Sequence, residues 1–402
     1  MTRHHEAGRH AACHKILLLV TEDWFALSHF KPLIAALREI AHEVVVATRS
    51  SGRVSEIAAL GVRVVSFDLR RASLQPLEQA ATVGRLARLI AAERPDVLHV
   101  VAMQPMVLAS LALRLVQVPR VVMHLTGLGF LAISDSRAAR LIRPAAFAAL
   151  GSIVKRNSTW LLAENPDDVA YMAENGADAG PRVTILGGAG IDPDAYPAAP
   201  PPANDPAVAA FVGRMIRSKG LDTLVAAQRQ LAAEGVPLAV TLYGRSDADN
   251  PDAIPPAEIE RWQAQGLVTW HGHVSDIRAV WRESDIAVLP AITREGMPRS
   301  VLEAAASARA LVVTDVPGCR HFVRDGIEGF VVPPGEASAL ARALARLAAD
   351  PALRVRLGAA ARARVLDGFT THHVQTGIHT AYQHLLSPVH GPTPWHAHAA
   401  RG

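Results

Sequence analysis

The chain repeats one pattern, in which a short and wholly apolar run is followed by a longer stretch with helical spacing. In the first half, the apolar runs that we expect to be strands fall at residues 15–20, 43–48, 62–67, 96–101, 120–125, 159–163 and 182–186. Stretches with helical spacing lie between them, at residues 32–40, 76–92, 106–116 and 166–174. A strand that is apolar throughout is covered on both faces. The repetition therefore predicts a doubly wound α/β domain with a mostly parallel sheet.

The pattern stops after residue 186, where a segment dense in glycine and proline begins, and it resumes at residue 207. In the second half we expect strands at 207–213, 237–244, 267–272, 286–291, 310–315 and 329–332, and helices at 218–234, 255–265, 276–283, 298–308, 336–349 and within 351–386. The sequence thus predicts a first domain over 13–190, a linker over 191–206 and a second domain over 207–369. Residues 1–12 and 389–402 are expected to be disordered. Two such domains predict a cleft that binds ligands at the carboxyl ends of the strands, and two independent domains on a spacer are the alternative.

Composition narrows the class of protein. The chain has 402 residues, of which 50% are hydrophobic and 19% charged, so it can bury large cores and is not a largely disordered chain. Its two cysteines, Cys13 and Cys319, are too few for a disulfide framework or a cysteine-based zinc site. The net charge of +4 is spread along the chain, which disfavours nucleic acid as a partner. The longest uncharged stretch, 97–113, is too short to span a membrane.

The sequence lacks the motifs of two classes of nucleotide-binding protein. The first strand–helix turn, 21–29, contains no glycine, whereas a dinucleotide site needs the G-x-G-x-x-G pattern there. A Walker A motif is absent from the whole sequence. We therefore exclude dehydrogenases and P-loop proteins.

Residues 293–306 (TREGMPRSVLEAAA) carry the strongest chemical signal. They follow an expected strand and open a helix at about Pro298, and the N–H groups of a first helical turn can bind a phosphate. Glu295 precedes the helix and Glu303 lies inside it, roughly 7–8 Å along the axis from Pro298. Carboxylates on both sides of an anion site suit a nucleotide sugar, which has hydroxyls on both sides of a diphosphate. The alternative for Glu303 is an ordinary exposed position on a helix.

A second segment, 213–220 (GRMIRSKG), supplies positive charge after the first strand of the second domain. Arg214 and Lys219 are suited to hold a diphosphate at the same edge of the sheet. The alternative is a solvated pair beside a helix start, and Arg217 is then an equivalent surface residue.

These segments resemble a known family. Glu295 to Glu303 resembles the E-x7-E signature of retaining glycosyltransferases of family 4, and Arg214 with Lys219 matches the diphosphate-binding turn of that family. Residues 24–29, 126–129, 249–251 and 314–319 resemble the subgroup that extends capsule, O-antigen and related undecaprenyl-diphosphate-linked glycans. The resemblance covers roughly residues 15–386.

The resemblance implies a GT-B fold, two facing Rossmann-like domains with the donor bound mainly by the second, and a C-terminal helix at about 370–388 that completes the first. It implies that Arg214 and Lys219 hold the diphosphate, that Glu295 binds the transferred sugar, and that the Gly296–Met297–Pro298 backbone lies near the phosphate. Glu303 would bind the ribose, and Asp222 and the loop at 271–274, with His273, would frame the base. Transfer would retain configuration and need no cofactor.

The acceptor side departs from the family pattern. Thr126-Gly127 stands where many members have His-Gly, and His124 is out of register with that position. Phe30 replaces an expected basic residue, and Arg309 replaces a common glycine. His29, Thr126 and Gly127 are therefore the acceptor-side candidates, and helix capping or packing is the alternative for His29.

A metal ion is not expected. Asp192 with Asp194, and Asp247 with Asp249, match the D-x-D signature of the other glycosyltransferase architecture, but chance matches are expected among so many aspartates. The histidine pairs His271 with His273 and His372 with His373 lack further ligands at zinc spacing.

The motifs and the resemblance together predict a metal-independent glycosyltransferase of surface polysaccharide biosynthesis. It would move a hexose or N-acetylhexosamine from a UDP-sugar to a lipid-linked or saccharide acceptor. A UDP-sugar 2-epimerase and a catalytically silent sugar-nucleotide-binding partner are the alternatives. We expect a cytoplasmic location. An anionic membrane on the inner face of the plasma membrane could be contacted by the basic residues Arg137, Arg140, Arg143, Lys155 and Arg156, for which a solvated helix face is the alternative.

Overall fold

The computed structural model describes residues 13–69, 76–129, 136–202, 204–246, 250 and 252–387. These residues form two compact units. The first contains the chain up to Ala189 and again from His372, and the second is Gly190–Thr371. The predicted disordered ends, 1–12 and 389–402, lie outside the described residues.

The first unit is built on one parallel sheet with the strand order β3-β2-β1-β4-β5-β6-β7. Its strands are β1 Cys13–Glu22, β2 Ala41–Arg49, β3 Arg63–Ser66, β4 Val97–Val101, β5 Arg120–Leu125, β6 Thr159–Ala163 and β7 Val183–Ile185. Its helices are Asp23–His29, Lys31–Ile40, Val54–Ala58, Pro76–Glu93, Met103–Ala112, Arg137–Val154 and Pro166–Glu174, with the last helix of the chain, Thr371–Leu386, packed on one face. Successive residues of β1 alternate between two buried cores, so both faces of the sheet are covered.

The second unit has a parallel sheet with the order β10-β9-β8-β11-β12-β13. Its strands are β8 Ala207–Val212, β9 Leu238–Tyr243, β10 Thr269–Trp270, β11 Ile286–Leu289, β12 Ala310–Thr314 and β13 Gly329–Val332. Its helices are Leu221–Ala233, Pro256–Ala264, Ile277–Glu283, Arg299–Ala306, Pro317–Phe322, Ala337–Ala349 and Pro351–Gly368, with a short 3-10 turn at Arg217–Lys219. The prediction of two doubly wound, parallel α/β domains is confirmed.

Two local features differ from the expectations. The predicted turn at 21–29 is mostly a helix, Asp23–His29, and it follows β1 directly. The buried Asp23 carboxylate ties this start to the next loop, because it accepts the N–H groups of Trp24, Ser51 and Arg53 at 2.7, 2.7 and 2.9 Å. The short helix Pro317–Phe322 was not predicted. The region 351–386, expected to be helical, contains the two helices Pro351–Gly368 and Thr371–Leu386.

The segment 191–206 is not a free spacer, which corrects the linker prediction. Ile191 is buried and pairs with Thr370, with its N–H donating to the Phe369 carbonyl at 3.0 Å. The Arg309 guanidinium donates to the Ala199 carbonyl at 2.8 Å. Arg309, the departure from the family pattern, therefore holds this segment on the second unit.

Candidate functional site

The candidate site lies where the strand order of the second sheet reverses. β8 and β11 are adjacent and parallel, so their carboxyl ends share one edge. The chain leaves β8 through Gly213 and Arg214, and it leaves β11 through the loop that carries Glu295. Ligands of doubly wound sheets bind at such a reversal point.

The two turns after β8 and β11 are pressed against each other. The Ile292 N–H donates to the Ser218 carbonyl at 2.9 Å. Gly220 has a φ of +77°, and a Cβ there would come within 1.8 Å of the Pro290 carbonyl oxygen. Only glycine adopts this positive φ readily and also leaves room for the Pro290 carbonyl. The close approach of the two turns lets the neighbouring Lys219 reach the loop after β11.

Lys219 and Glu295 form a two-point ion pair. The Lys219 Nζ lies 2.7 Å from Glu295 Oε1 and 2.8 Å from Oε2, and the two side chains are 19% and 15% exposed. The sequence predicted a cation on one side of a gap and a carboxylate on the other. The structure brings them into direct contact, so a diphosphate that binds Lys219 competes with Glu295.

The loop of Glu295 is supported from behind by the unpredicted helix Pro317–Phe322. The Gly318 N–H donates to the Glu295 carbonyl at 3.2 Å, and a Cβ on Gly318 would come within 1.7 Å of the Gly296 carbonyl oxygen. Met297 is buried, so its side chain anchors the loop. The helix begins at Arg299 with Pro298 as its N-cap residue, one position later than predicted.

Glu303 is buried and hydrogen-bonded, which excludes the alternative of an exposed helix position. Its side chain accepts one hydrogen bond from the Tyr196 hydroxyl at 3.0 Å and another from Arg299 Nε at 2.8 Å. Burial and the nearby Glu303 charge raise the pKa of Tyr196 to about 12, so this hydroxyl stays protonated and donates. Tyr196 lies in the segment that we predicted to be a linker, and sequence reasoning missed it.

The remaining donor-side candidates lie at the same edge of the sheet. Arg214 is exposed after β8, and His273 is exposed after β10. Arg217 instead pairs with Asp222 and Glu258 at 2.9 and 2.7 Å. Asp222 is therefore engaged by a guanidinium, which differs from its expected place beside a base.

The acceptor-side candidates lie in the first unit. His29 ends the helix Asp23–His29, and its Nδ1 is 2.7 Å from the Ser28 hydroxyl. Thr126 and Gly127 follow β5 and are half-buried. The ring of Phe30 packs edge-on against His124, with centroids 5.6 Å apart, so the segment after the helix Asp23–His29 contacts β5 itself.

A buried chain of polar side chains runs behind these residues. The Tyr382 hydroxyl lies 2.9 Å from His99 Nδ1, and His99 Nε2 lies 3.3 Å from His124 Nδ1. Burial lowers the pKa of His124 to about 4, and burial with the neighbouring His124 lowers that of His99 well below its usual range. Both histidines are therefore neutral at pH 7. The sequence did contain a signal for this buried chain: β4 and β5 are mainly apolar, and each carries one histidine on the same face of the sheet. No prediction was drawn from it.

The described part of the chain presents neither a cluster of metal ligands nor a membrane-spanning helix. It contains no group of three or more histidine, cysteine or acidic residues that could hold a metal ion. The Asp192 carboxylate accepts the Asp194 N–H at 3.0 Å, and Asp247 and Asp249 lie outside the described residues. Among the described helices, each is too short or too polar to cross a bilayer.

Curated relatives of this chain include glycosyltransferases of bacterial polysaccharide biosynthesis. The capsular polysaccharide biosynthesis glycosyltransferase CapM of Staphylococcus aureus is 26% identical over 188 residues, which is 47% of this chain and 49% of CapM. The lipopolysaccharide core biosynthesis mannosyltransferase LpcC of Rhizobium leguminosarum bv. viciae is 30% identical over 43% of this chain and 50% of LpcC. The match thus spans about half the length of these two relatives.

A third relative matches over most of its length. The N,N'-diacetylbacillosaminyl-diphospho-undecaprenol alpha-1,3-N-acetylgalactosaminyltransferase of Campylobacter jejuni is 24% identical over 83% of this chain and 89% of that protein.

Solved structures share the fold of this chain. Anabaena Alr3699/HepE, solved in complex with UDP and glucose, superposes with a TM-score of 0.73 and 17% identity, covering 92% of this chain and 99% of HepE. Sucrose-phosphate synthase of Thermosynechococcus elongatus superposes with a TM-score of 0.75 and 20% identity over the same shares of both chains.

Two family models match successive parts of the chain. Residues 15–158 match the model described as "Glycosyl transferase 4-like", and residues 206–350 match "Glycosyl transferases group 1". The chain therefore carries a glycosyltransferase 4-like domain followed by a glycosyltransferase group 1 domain, in the GT-B fold.

Proposed function

We propose that this protein transfers a hexose or N-acetylhexosamine from a UDP-sugar to a lipid-linked saccharide in surface polysaccharide biosynthesis, with retention of configuration. The observation that carries the proposal is the contact between Lys219 and Glu295 where the ends of β8 and β11 meet. A cation and a carboxylate at one point match a ligand that presents phosphate and sugar hydroxyls side by side.

Each donor-side residue has a distinct task in this proposal. Lys219 and Arg214 neutralise the diphosphate, and the N-terminus of the helix Arg299–Ala306 adds its dipole. Glu295 binds hydroxyls of the transferred sugar and Glu303 binds the ribose, with His273 near the base. Charges that are already in place stabilise the leaving diphosphate as the glycosidic bond breaks.

The reaction needs no carboxylate nucleophile in this scheme, because Glu295 is assigned to hydroxyl binding. The anomeric carbon develops positive charge as the bond to the diphosphate breaks. The leaving phosphate oxygen accepts the proton of the incoming acceptor hydroxyl, which forms the new glycosidic bond on the same face. A metal ion and a cofactor have no part in this scheme.

The choice of UDP and of a lipid-linked acceptor rests on relatives. HepE is solved with UDP, and the Campylobacter relative is named for a diphospho-undecaprenol acceptor. For the acceptor side of this chain we propose His29, Thr126 and Gly127, which follow β1 and β5. A cleft between the two domains is a prediction from the resemblance.

The membrane is the proposed location of the acceptor. Arg137 and Arg140 are exposed on the helix Arg137–Val154, and Leu141 beside them is 82% exposed. An exposed leucine among arginines suits the surface of an anionic bilayer on its cytoplasmic side.

UDP release tests the proposal. The full chain is incubated with a panel of UDP-sugars, with and without a polyprenyl-diphosphate saccharide, and UDP, product and sugar epimers are measured. We expect acceptor-dependent UDP release that falls at least 100-fold in Lys219→Met and in Glu295→Gln. Glu56→Gln, which breaks the exposed pair of Glu56 with Arg53, is the matched control and should stay within twofold of the native protein.

Other outcomes refute the proposal. A C2 epimer of the donor sugar, formed in the absence of acceptor either still linked to UDP or as the free sugar with an equivalent of released UDP, indicates the 2-epimerase. Donor binding without turnover, seen as a rise in melting temperature, indicates the catalytically silent partner. Unchanged rates in both Lys219→Met and Glu295→Gln would remove these residues from the site.

A further inference from the structure

Tyr196 reaches a residue of the candidate site from outside the sheet and its helices. It lies in the segment before β8, and its hydroxyl donates to Glu303 Oε1 at 3.0 Å across 107 positions of sequence. Its ring is partly buried against the core of the second unit. The position of this hydroxyl therefore depends on how firmly its own segment is held.

Three contacts hold the segment on the second unit. The Arg362 guanidinium donates to the Tyr196 carbonyl at 2.7 Å. Ile191 exchanges backbone hydrogen bonds with the stretch at Phe369 and Thr371, at 3.0 and 2.9 Å. Arg309 binds the Ala199 carbonyl on the other side. The backbone is thus held before Tyr196, at the Tyr196 carbonyl and after Tyr196 in the sequence.

The two oxygens of Glu303 have different surroundings. Oε1 accepts from both Tyr196 and Arg299, whereas Oε2 accepts no hydrogen bond from the residues that the structure describes. Glu303 is only 6% exposed, so a carboxylate in this place needs its donors. Arg299 Nε and the Tyr196 hydroxyl are thus the two donors that orient Oε1 among the described residues.

We propose that Tyr196 is a positioning residue for nucleotide binding: it holds Glu303 by Oε1 and so keeps Oε2 as the acceptor for a ribose hydroxyl. This inference rests on the proposed function, in which Glu303 binds the ribose. Without the tyrosine hydroxyl, Oε1 keeps only the Arg299 donor, so the orientation of the carboxylate is less firmly fixed. The carboxylate then loses its preference for a ribose hydroxyl, while the diphosphate contacts at Lys219 stay intact.

The experiment measures how well the protein recognises ribose hydroxyls. Isothermal titration gives the Kd of UDP, 2′-deoxy-UDP and 3′-deoxy-UDP for the native chain, Tyr196→Phe, Glu303→Gln and the double variant. Tyr171→Phe makes the same chemical change in the first unit and is the matched control. We expect the native protein and Tyr171→Phe to prefer UDP about tenfold over one of the deoxy-nucleotides.

In Tyr196→Phe we expect this preference to fall at least threefold, with the Kd of that deoxy-nucleotide unchanged. The effects of Tyr196→Phe and Glu303→Gln should be non-additive, because one residue acts through the other. An undiminished preference in Tyr196→Phe overturns the inference even if Glu303→Gln does not fold. An equal loss of affinity for all three nucleotides also overturns it, since that result indicates a merely structural role.

Nucleotide binding by the native protein separates a failure of the role of Tyr196 from a failure of the proposed function. Native binding of UDP with a ribose preference that Tyr196→Phe retains refutes the role of Tyr196 alone. If the native chain binds none of UDP, ADP, GDP, CDP and dTDP, the proposed function fails and the inference fails with it.

Discussion

The buried histidine pair predicts that the first unit loses stability when the pH falls from 7 to 5. His124 is 3% exposed and His99 is fully buried, and they contact each other at 3.3 Å. Burial lowers the pKa of His124 from 6.5 to about 4. Below pH 6.5 the unfolded chain therefore binds a proton at this position that the folded chain does not bind.

Proton linkage determines the sign and the size of the change in the free energy of unfolding with pH. Because the folded pKa is depressed, the stabilising contribution is present above pH 6.5 and is lost as the pH falls from 6.5 towards 4. For one histidine with these two pKa values, the free energy of unfolding falls by about 2 kcal/mol between pH 7 and pH 5. His99 adds a loss in the same direction, since its pKa is also lowered.

The assay is hydrogen exchange of the full chain, followed in peptides that cover β4 and β5, at pH 7, 6 and 5 after correction for the intrinsic exchange rate. His124→Gln keeps a side chain that can hydrogen-bond to His99 and removes one titrating group. Its opening free energy should fall by about 2 kcal/mol less than that of the native chain over this range. His42→Gln, an exposed position in the same unit, is the matched control and should follow the native chain. Equal pH dependence in native and His124→Gln proteins would refute the reasoning.

Two further predictions concern other parts of the molecule. In Gly318→Ala the new Cβ would meet the Gly296 carbonyl oxygen at 1.7 Å, so we expect the Glu295 loop to move, with at least tenfold weaker UDP binding by titration. Gly84→Ala, where a Cβ meets nothing within 4 Å, is its control, and a changed Kd there or an unchanged one in Gly318→Ala contradicts this view. On acidic liposomes, we expect the chain to float and to lose flotation when Arg137, Arg140 and Arg143 are changed to glutamate; indifference to lipid charge would argue against a membrane-bound acceptor.

The sequence by itself determined the architecture, because apolar period and turn chemistry are local properties. Short, mainly apolar runs predicted β5, β6 and β13 with their observed bounds, and the strand–helix alternation predicted both parallel sheets. The apolar pattern gave a wrong prediction where a single polar side chain determines the local structure. Asp23 starts a helix where the spacing indicated a turn, and it does so by binding backbone from a later loop.

The candidate site likewise has parts that the sequence predicted and parts that it did not. The loop of Glu295 and the turn of Lys219 were visible in the sequence, because each follows an apolar strand and carries charge near a helix start. That these two side chains touch could not be predicted, since they are 76 positions apart and their contact depends on the pairing of β8 with β11. Tyr196 was hidden for the same reason, because its segment lacks any period.

Local spacing reports which groups a strand or helix can carry, whereas the partner of each group depends on which strands pair and how closely they pack. The histidine chain shows this most clearly. His99 and Tyr382 are separated by 283 positions, and only the docking of the last helix on the first sheet brings them together. Burial then sets their protonation, which no property of the isolated sequence determines.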